Sequence, residues 1–149
     1  MRGRPIATGH CDLPLIPSVA KSIGAPHIHS SAYRSPGALP DGNVLVVGAS
    51  SSGVQIASEL QRSGRQVTLA VGKHTRLPRS YRGIDIFRWF ERMGVLDQPW
   101  SDVSDLVAAR LQPSLQLAGR PDRSNLDLAV LQDEGVKLTA ALPAVSAIR

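Results

Sequence analysis

The chain has 149 residues, with 17 Lys and Arg against 12 Asp and Glu, which gives a formal net charge of +5. This length suits about one domain, and a hydrophobic content of 42% excludes wholesale disorder. No apolar run reaches the roughly 18 residues of a membrane span, and the amino-terminal stretch lacks the apolar centre of a secretory signal. The single cysteine, Cys11, excludes an internal disulfide and a cysteine-built zinc site, so we expect a reducing, cytoplasmic location.

The positive charge is concentrated in one part of the chain. The window from Lys73 to Arg92 holds six basic residues and two acids, which is a net charge of +4. An excess of positive charge favours a nucleic-acid partner, whereas one compact basic window also suits a small anionic ligand. The charge alone leaves both kinds of partner open.

The first 42 residues predict an irregular connecting segment. Six prolines between positions 5 and 40 oppose long helices or strands, and short extended pieces are expected at Pro5–Thr8 and His27–Ser31. The Pro-Asp-Gly turn at Pro40–Gly42 leads into the next element. We therefore expect a linker over residues 1–42 and a folded domain over residues 43–149.

Residues 43–71 predict a strand, a glycine-rich turn, a helix and a second strand. Asn43–Val47 is a continuous apolar run, typical of a strand buried on both faces in a parallel sheet. Val54–Ser63 predicts an amphipathic helix that ends before Gly64, and Gln66–Val71 predicts the second strand. This order is a βαβ unit.

Further strands and helices are predicted beyond this unit, as in an α/β fold. Helices are expected at Gly83–Met93, Asp102–Leu111 and Asn125–Glu134, the last ended by Gly135. Short strands are expected at Ser114–Leu117, Val136–Thr139 and Ala144–Ile148. The aromatic side chains Phe87, Trp89 and Phe90 are expected to pack in the core rather than to stack on nucleic-acid bases.

The turn after the first strand, GASSSG at Gly48–Gly53, carries the strongest chemical signal. In a dinucleotide site, Gly48 allows the tight turn, a small residue at position 50 lets a pyrophosphate approach, and Gly53 lets the helix pack closely on the strand. The helix N–H groups then face the phosphates, with the hydroxyls of Ser50, Ser51 and Ser52 as added donors. Ser50 replaces the second glycine of G-x-G-x-x-G, so a plain serine-capped turn stays the alternative.

The end of the second strand distinguishes the two nicotinamide dinucleotides. An NAD site usually has an acid there for the ribose hydroxyls, whereas this chain has no acid between that strand and Asp85. Lys73, His74 and Arg76 suit a 2′-phosphate instead, because Arg forms a bidentate fork with phosphate oxygens. We therefore predict NADP rather than NAD, with a solvated basic loop as the alternative. Two interpretations stay open for the other arginines: they add positive charge to the phosphate-binding site, or they are ordinary surface charge. These arginines are Arg79, Arg82, Arg88 and Arg92.

Other site chemistries find little support. The nearby His10, Cys11, His27 and His29 lack the ligand spacing of zinc sites, so no metal site is predicted. The sequence has no arguable Ser-His-Asp set, no Walker phosphate loop and no helical HExxH motif.

Several segments in combination carry a family resemblance. These are IATG and LPLIP within residues 6–17, HSSAY at 29–33, NVLVVGASSSGVQIASEL at 43–60, VGKHTRLPRSYRGIDIFRWFERMGVL at 71–96 and PSLQLAG at 113–119. Together they resemble bacterial flavoproteins related to the flavin-containing monooxygenases, which are NAD(P)/FAD-dependent oxidoreductases. The segments within residues 6–17 look like the connection between an FAD domain and an NADP domain. The segment at 43–60 looks like the NADP fingerprint. The similarity covers roughly residues 5–140.

This resemblance implies a fold and a set of cofactors. The fold would be a Rossmann-like, three-layer α/β domain with a parallel sheet that binds NADP(H). By position, Gly48, Ser50, Ser52 and Gly53 would hold the pyrophosphate. Three basic residues, Lys73, His74 and Arg76, would lie near the 2′-phosphate, and Thr8 and Gly9 would lie near the domain junction. Members of the family bind FAD and NADPH, reduce the flavin and often oxygenate a substrate.

The family's amino-terminal G-x-G-x-x-G for FAD is absent from the sequence. We therefore expect residues 1–42 to be the remnant of an FAD-domain junction, and the chain to act with an FAD-binding partner or with missing chain segments. Two alternatives stay open, a catalytically inactive, truncated nucleotide-binding module and a basic nucleic-acid-binding protein. The second is disfavoured because the charge follows a dinucleotide fingerprint directly, so we predict no nucleic-acid partner and no membrane span.

Overall fold

The computed structural model describes residues 23–72, 75–111, 115–116, 119–122 and 124–140, together with positions 14, 16, 17 and 20. The strands are β1 (Val44–Val47), β2 (Val67–Val71), β3 (Thr75–Arg76), β4 (Ser80–Tyr81), β5 (Ile84–Asp85), β6 (Leu115–Gln116) and β7 (Lys137–Ala140). The helices are α1 (Ser51–Arg62), α2 (Ile86–Arg92), α3 (Leu106–Leu111) and α4 (Leu128–Asp133), with short 3-10 turns at Ser30–Ala32, Pro36–Ala38, Val95–Asp97 and Trp100–Asp102.

The main sheet is parallel and has the strand order β1-β2-β7. Val47 of β1 lies beside Ala70 of β2, and Val71 of β2 lies beside Ala140 of β7. The carboxyl ends of all three strands therefore meet at one edge of the sheet. The predicted α/β fold with a parallel sheet is confirmed, and its three-layer form stays a prediction.

Helices α1 and α4 pack on one face of this sheet through a single apolar cluster. The predicted stripe on α1 is confirmed, since Val54, Ala57 and Leu60 are fully buried. They contact Leu69 of β2 and Leu131 of α4 in the same cluster. Burial of each large apolar side chain contributes about 1.5–3 kcal/mol, so this cluster holds the elements around the glycine-rich turn.

Strand β1 is covered on one face only, contrary to the expectation of burial on both. Val44 and Val46 pack against the core, whereas Leu45 and Val47 are 48% and 47% exposed. Successive side chains of a strand point to opposite faces, and α1 covers only the face that carries Val44 and Val46. An apolar run indicates two-sided burial only where a layer covers each face.

Helix α1 begins three residues earlier than predicted, at Ser51, whereas α2, α3 and α4 begin later than predicted, which three aspartates explain. Each lies at or just before a helix start and accepts a backbone N–H with one carboxylate oxygen, as an N-cap does. The pairs are Asp85 with Phe87 at 3.0 Å, Asp105 with Ala108 at 2.8 Å, and Asp127 with Val130 at 3.0 Å. Each of these three predicted helices therefore loses its first residues to a turn, a hairpin or an extended stretch.

The other expectations fare differently. The strands expected at Gln66–Val71 and Val136–Thr139 are confirmed, and the piece expected at Ser114–Leu117 is confirmed at its described residues, Leu115–Gln116. Gly64 and Gly135 follow helix ends with φ of 88° and 94°. The extended piece expected at His27–Ser31 is wrong at its end, because His29 Nδ1 accepts the N–H of Ser31 and caps a 3-10 turn. The pieces expected at Pro5–Thr8 and Ala144–Ile148 lie outside the described residues.

The aromatic residues of α2 lie outside the core cluster, with Phe87 exposed and Trp89 and Phe90 half-buried, so their expected place in the core is wrong. Trp89 meets Tyr81 edge-on at 5.7 Å between ring centroids, and Phe87 meets Phe90 edge-on at 6.0 Å. Phe87 is 43% exposed, and the core cluster of β2, α1 and α4 includes none of these rings. The chain after α2 also exposes large apolar side chains, among them Met93, Trp100 and Val107.

Within the described residues, no helix is long and apolar enough to cross a lipid bilayer.

The segment before β1 rests on α1. Tyr33 and Leu39 pack against the core cluster, and the Tyr33 hydroxyl donates to Glu59 at 3.2 Å. Arg65, just after α1, pairs with Asp41 at 3.4 Å and donates to the carbonyl of Pro40. These contacts attach an irregular segment to the helix that begins at the glycine-rich turn.

The Tyr33–Glu59 contact predicts a loss of stability in alkali. Burial, the hydrogen bond to Glu59 and its negative charge raise the pKa of Tyr33 to about 12, from 10.0. Because the folded pKa lies above the unfolded one, the protonated phenol stabilises the fold below pH 10, and this contribution is lost as the pH rises towards 12. In urea unfolding, we expect wild type to lose stability more steeply than Tyr33→Phe over this range. Equal slopes in the two proteins would contradict the assignment.

Candidate functional site

The turn between β1 and α1 brings the five fingerprint residues together. Gly48 leaves β1 with a φ of 99°, and its N–H donates to the carbonyl of Ala70 at 3.0 Å. Ser50 follows with an extended backbone as the N-cap of α1, and the helix then begins with Ser51, Ser52 and Gly53. The turn therefore lies at the carboxyl edge of the sheet, beside the end of β2.

Gly53 lies where no other residue fits without a backbone shift. A Cβ added to Gly53 would lie 1.9 Å from the carbonyl oxygen of Gly48 and 3.0 Å from its carbon. Real Cβ atoms do not approach backbone atoms this closely, so the first turn of α1 lies directly against the end of β1. The predicted packing reason for this glycine is confirmed.

The amino end of α1 offers backbone donors at this edge. The first intrahelical bond runs from the N–H of Val54 to the carbonyl of Ser50, at 3.1 Å. The N–H groups of Ser51, Ser52 and Gly53 precede it and have no acceptor within the helix. The Ser50 side chain makes no capping hydrogen bond. Donors and the positive end of a 12-residue helix dipole together suit an anion.

Of the three basic residues predicted near a 2′-phosphate, Lys73 and His74 lie outside the described residues. Arg76 lies on β3, and its Nη2 forms an ion pair with Oδ2 of Asp127. The Arg76 side chain is 37% exposed, whereas the Asp127 side chain is only 8% exposed. Arg76 is thus held on one side by a buried carboxylate.

Asp127 is the residue that sequence reasoning missed. The predicted helix began at Asn125, which placed Asp127 inside it, whereas the structure places Asp127 at the N-cap of α4. A short acidic side chain directly before the apolar run of Leu128–Leu131 was the available signal, because aspartate is a preferred N-cap residue.

Two of the other arginines pair with carboxylates outside the turn. Arg79 contacts Asp85 at 2.7 Å, and its guanidinium lies 5.8 Å from the ring centroid of Phe87. Arg88 contacts Glu91 at 3.2 Å on the exposed side of α2. These pairs favour the interpretation of Arg79 and Arg88 as ordinary surface charge.

A second polar cluster ties α1 to the end of α4. Glu134 accepts from the buried Ser58 at 3.2 Å and from the guanidiniums of Arg62 and Arg120 at 3.2 and 2.5 Å. The cluster borders a shallow cavity of about 270 Å³ that Gln55 and Leu126 also line. Both carboxylate oxygens of Glu134 accept hydrogen bonds within the protein, which indicates a structural role for this cluster.

No three His, Cys, Asp or Glu side chains come together for a metal ion in the part of the chain that the structure describes. His29 bonds locally, with its Nδ1 2.8 Å from the hydroxyl oxygen of Ser31. His10 and Cys11 lie outside the described residues.

A known family covers the region that contains this turn. The family described as "Pyridine nucleotide-disulphide oxidoreductase" matches residues 5–83, which is more than half of the chain. The match contains β1, the glycine-rich turn, α1, β2 and Arg76.

Curated relatives match over a similar part of the chain. An "Uncharacterized oxidoreductase CzcO-like" of Geobacillus kaustophilus is 42% identical over 95 residues, which is 62% of this chain and 27% of the relative. A "Probable indole-3-pyruvate monooxygenase YUCCA4" of Arabidopsis thaliana is 32% identical, over 57% of this chain and 23% of the relative. A "Flavin-containing monooxygenase iboF" of Amanita muscaria is 35% identical, over 44% of this chain and 14% of the relative.

The matched parts span about a quarter or less of the length of these relatives. No solved structure gives a significant match. The relatives include oxidoreductases from bacteria and monooxygenases from a plant and a fungus, which agrees with the resemblance seen in the sequence motifs.

Proposed function

Because the chain belongs to the pyridine nucleotide-disulphide oxidoreductase family, we propose that it binds NADP(H) as part of a flavin-dependent oxidoreductase related to the flavin-containing monooxygenases. The glycine-rich turn carries this proposal. There, Gly53 allows α1 to lie against the Gly48 carbonyl, and the first N–H groups of the helix are presented at the carboxyl edge of the sheet. Dinucleotides bind at this place in open parallel α/β sheets.

The residues of the turn fit a pyrophosphate. Because Gly53 has no Cβ, the first turn of α1 can lie against the end of β1, where an added Cβ would be 1.9 Å from the Gly48 carbonyl oxygen. Backbone N–H groups of Ser51, Ser52 and Gly53 would donate to the phosphate oxygens, and the serine hydroxyls would add further donors. Lys73 and Arg76 would supply positive charge to the 2′-phosphate, and the His74 imidazole would lie near it. NADPH bound there supplies a hydride for reduction of a flavin.

The complete reaction requires more than the described residues. This chain's own contribution is to bind the dinucleotide, to orient it along the sheet edge and to neutralise its phosphate charge. The FAD is held by an FAD-binding partner or by further segments of a longer protein, in keeping with the quarter of the CzcO-like relative that the match spans. We place this oxidoreductase in the cytoplasm.

The sharpest test of the turn is the variant Ser50→Asp. Aspartate is a good N-cap and its charge suits the positive end of α1, so the melting temperature is expected to stay the same or rise. The same charge repels a pyrophosphate, so the Kd for NADPH is expected to increase by more than about tenfold. Asn43→Asp is the matched control, because it adds the same charge before β1, at the opposite edge of the sheet. It is expected to leave the Kd unchanged.

Parallel titrations with NADPH, NADH and FAD identify the ligand. Tighter binding of NADPH than of NADH, lost in Ser50→Asp, supports the proposal. Binding of FAD alone would overturn the assignment of the turn to NADP(H), and binding of none of the three would leave a module without cofactor. Salt-dependent binding of DNA or RNA that persists in Ser50→Asp would favour a nucleic-acid-binding protein instead.

A further inference from the structure

We propose that Asp127 is a positioning residue that holds Arg76 for the 2′-phosphate and so sets the preference for NADP(H) over NAD(H). This inference rests on the proposed function, and it adds a specificity residue that lies 51 positions away from Arg76. It starts from the ion pair between Arg76 and Asp127, the one ion pair of Arg76 among the described residues.

The Asp127 carboxylate has two separate tasks. Oδ1 accepts the N–H of Val130 at 3.0 Å and caps α4, while Oδ2 pairs with Nη2 of Arg76. The hydrogen bond to the helix therefore helps to fix the carboxylate that binds the guanidinium. With 8% of its side chain exposed, Asp127 has little solvent to compete for Oδ2.

The fold brings Asp127 to the edge where the glycine-rich turn lies. A helix that leads into a parallel strand runs antiparallel to that strand, so the amino end of α4 lies towards the carboxyl end of β7. That end, at Ala140, is in register with Val71, the last residue of β2. Arg76 follows Val71 by five positions and contacts Asp127, so the turn, Arg76 and the cap of α4 lie at the same carboxyl edge.

The chain contains a second pair of the same design that serves as a comparison. Asp85 caps α2 through the N–H of Phe87 and binds Arg79 through its other oxygen, at 2.7 Å. That carboxylate is 39% exposed, against 8% for Asp127. The two arginines are exposed to a similar degree, at 37% for Arg76 and 34% for Arg79, so the pairs differ mainly in the burial of the carboxylate.

A fixed arginine favours a phosphate for an entropic reason. Arginine is a long side chain that loses rotamer freedom when it binds a ligand, and prior fixation removes part of this cost. A guanidinium has five N–H donors, and contact of Nη2 with Asp127 uses only a part of them. Only NADP(H) carries the 2′-phosphate, so loss of the fixation is expected to affect NADPH and to leave NADH unchanged.

The test is a double-mutant cycle on the full chain with Asp127→Asn and Arg76→Ala, with Kd values for NADPH and NADH at each corner. Asparagine keeps an N-cap oxygen for Val130 and removes the charge that binds Arg76. We expect Asp127→Asn to weaken NADPH binding on the order of tenfold and to leave NADH binding unchanged. In the Arg76→Ala background, Asp127→Asn is expected to have no further effect on either Kd.

Asp85→Asn is the matched control, since it removes the same kind of pair at the cap of α2 and is expected to leave the NADPH to NADH ratio unchanged. Asp127→Ser, which keeps a hydroxyl cap, replaces Asp127→Asn if the latter does not fold. Unchanged or tighter NADPH binding, or an equal loss for NADPH and NADH, would overturn the role of Asp127. Failure of wild type to bind NADPH would instead overturn the proposed function itself.

Discussion

Replacement of Gly53 by alanine is expected to destabilise the protein by about 3 kcal/mol or more and to abolish NADPH binding. The added Cβ would lie 1.9 Å from the Gly48 carbonyl oxygen, and the atom it meets is backbone, which cannot rotate away. Relief requires α1 to move off the end of β1, and this movement also displaces the N–H groups of Ser51 and Ser52. Urea unfolding measures the first effect, and titration with NADPH measures the second.

Two other glycine variants separate this steric clash from the mere addition of a Cβ and from backbone strain at a positive φ. Gly37→Ala places a Cβ in open space with no unfavourable φ, so its unfolding free energy is expected to stay within about 0.5 kcal/mol of wild type. Gly48→Ala also meets no atom within 4 Å, and its φ of 99° imposes backbone strain alone. If Gly53→Ala behaves like Gly37→Ala, the close approach of helix and strand is not what this turn requires.

The βαβ unit could be predicted because its residues encode local geometry. Glycines at a turn and at a close contact are readable in the sequence, since other residues rarely adopt the φ of Gly48 and do not fit the space at Gly53 without a backbone shift. The stripe of Val54, Ala57 and Leu60 reflects the helical period, and all three side chains are buried. Here local preference and tertiary packing agree.

The faces of the sheet and of α2 could not be predicted in the same way. Leu45 and Val47 are as apolar as Val44 and Val46, and only the position of α1 decides which pair is covered. Phe87 is apolar and yet 43% exposed, because α2 packs its Phe87–Phe90 pair outside the core cluster of β2, α1 and α4. Composition reports that a side chain is apolar, and it does not report which layer covers it.

In the candidate site, likewise, the local part could be predicted from the sequence and the long-range contact could not. Residues Gly48–Gly53 are consecutive, so the local backbone geometry of the turn is enough to bring them together. The Arg76–Asp127 pair joins residues 51 positions apart, and neither residue signals the other. Asp127 had a local signal as an N-cap, whereas its contact with Arg76 depends on how α4 lies against the sheet.

Replacement of Leu131 by alanine is expected to lower the free energy of unfolding by about 2–5 kcal/mol. Leu131 is fully buried in the cluster that joins α4 to Leu60 of α1 and Leu69 of β2. Alanine leaves a cavity that three elements border, and the loss is large beside the total stability of about 5–15 kcal/mol of typical domains. Leu96→Ala is the matched control, because Leu96 is 55% exposed and the same truncation is expected to cost little.

The response to NADPH distinguishes this core variant from Gly53→Ala. A ligand that binds only the folded state stabilises it by about 2.7 kcal/mol at a concentration of 100 times its Kd. Leu131 is not among the residues proposed to contact the dinucleotide, so Leu131→Ala is expected to gain as much stability from NADPH as wild type does. Gly53→Ala is expected to recover none, because its binding site is displaced. Equal recovery in both variants would show that NADPH binds elsewhere than at the start of α1.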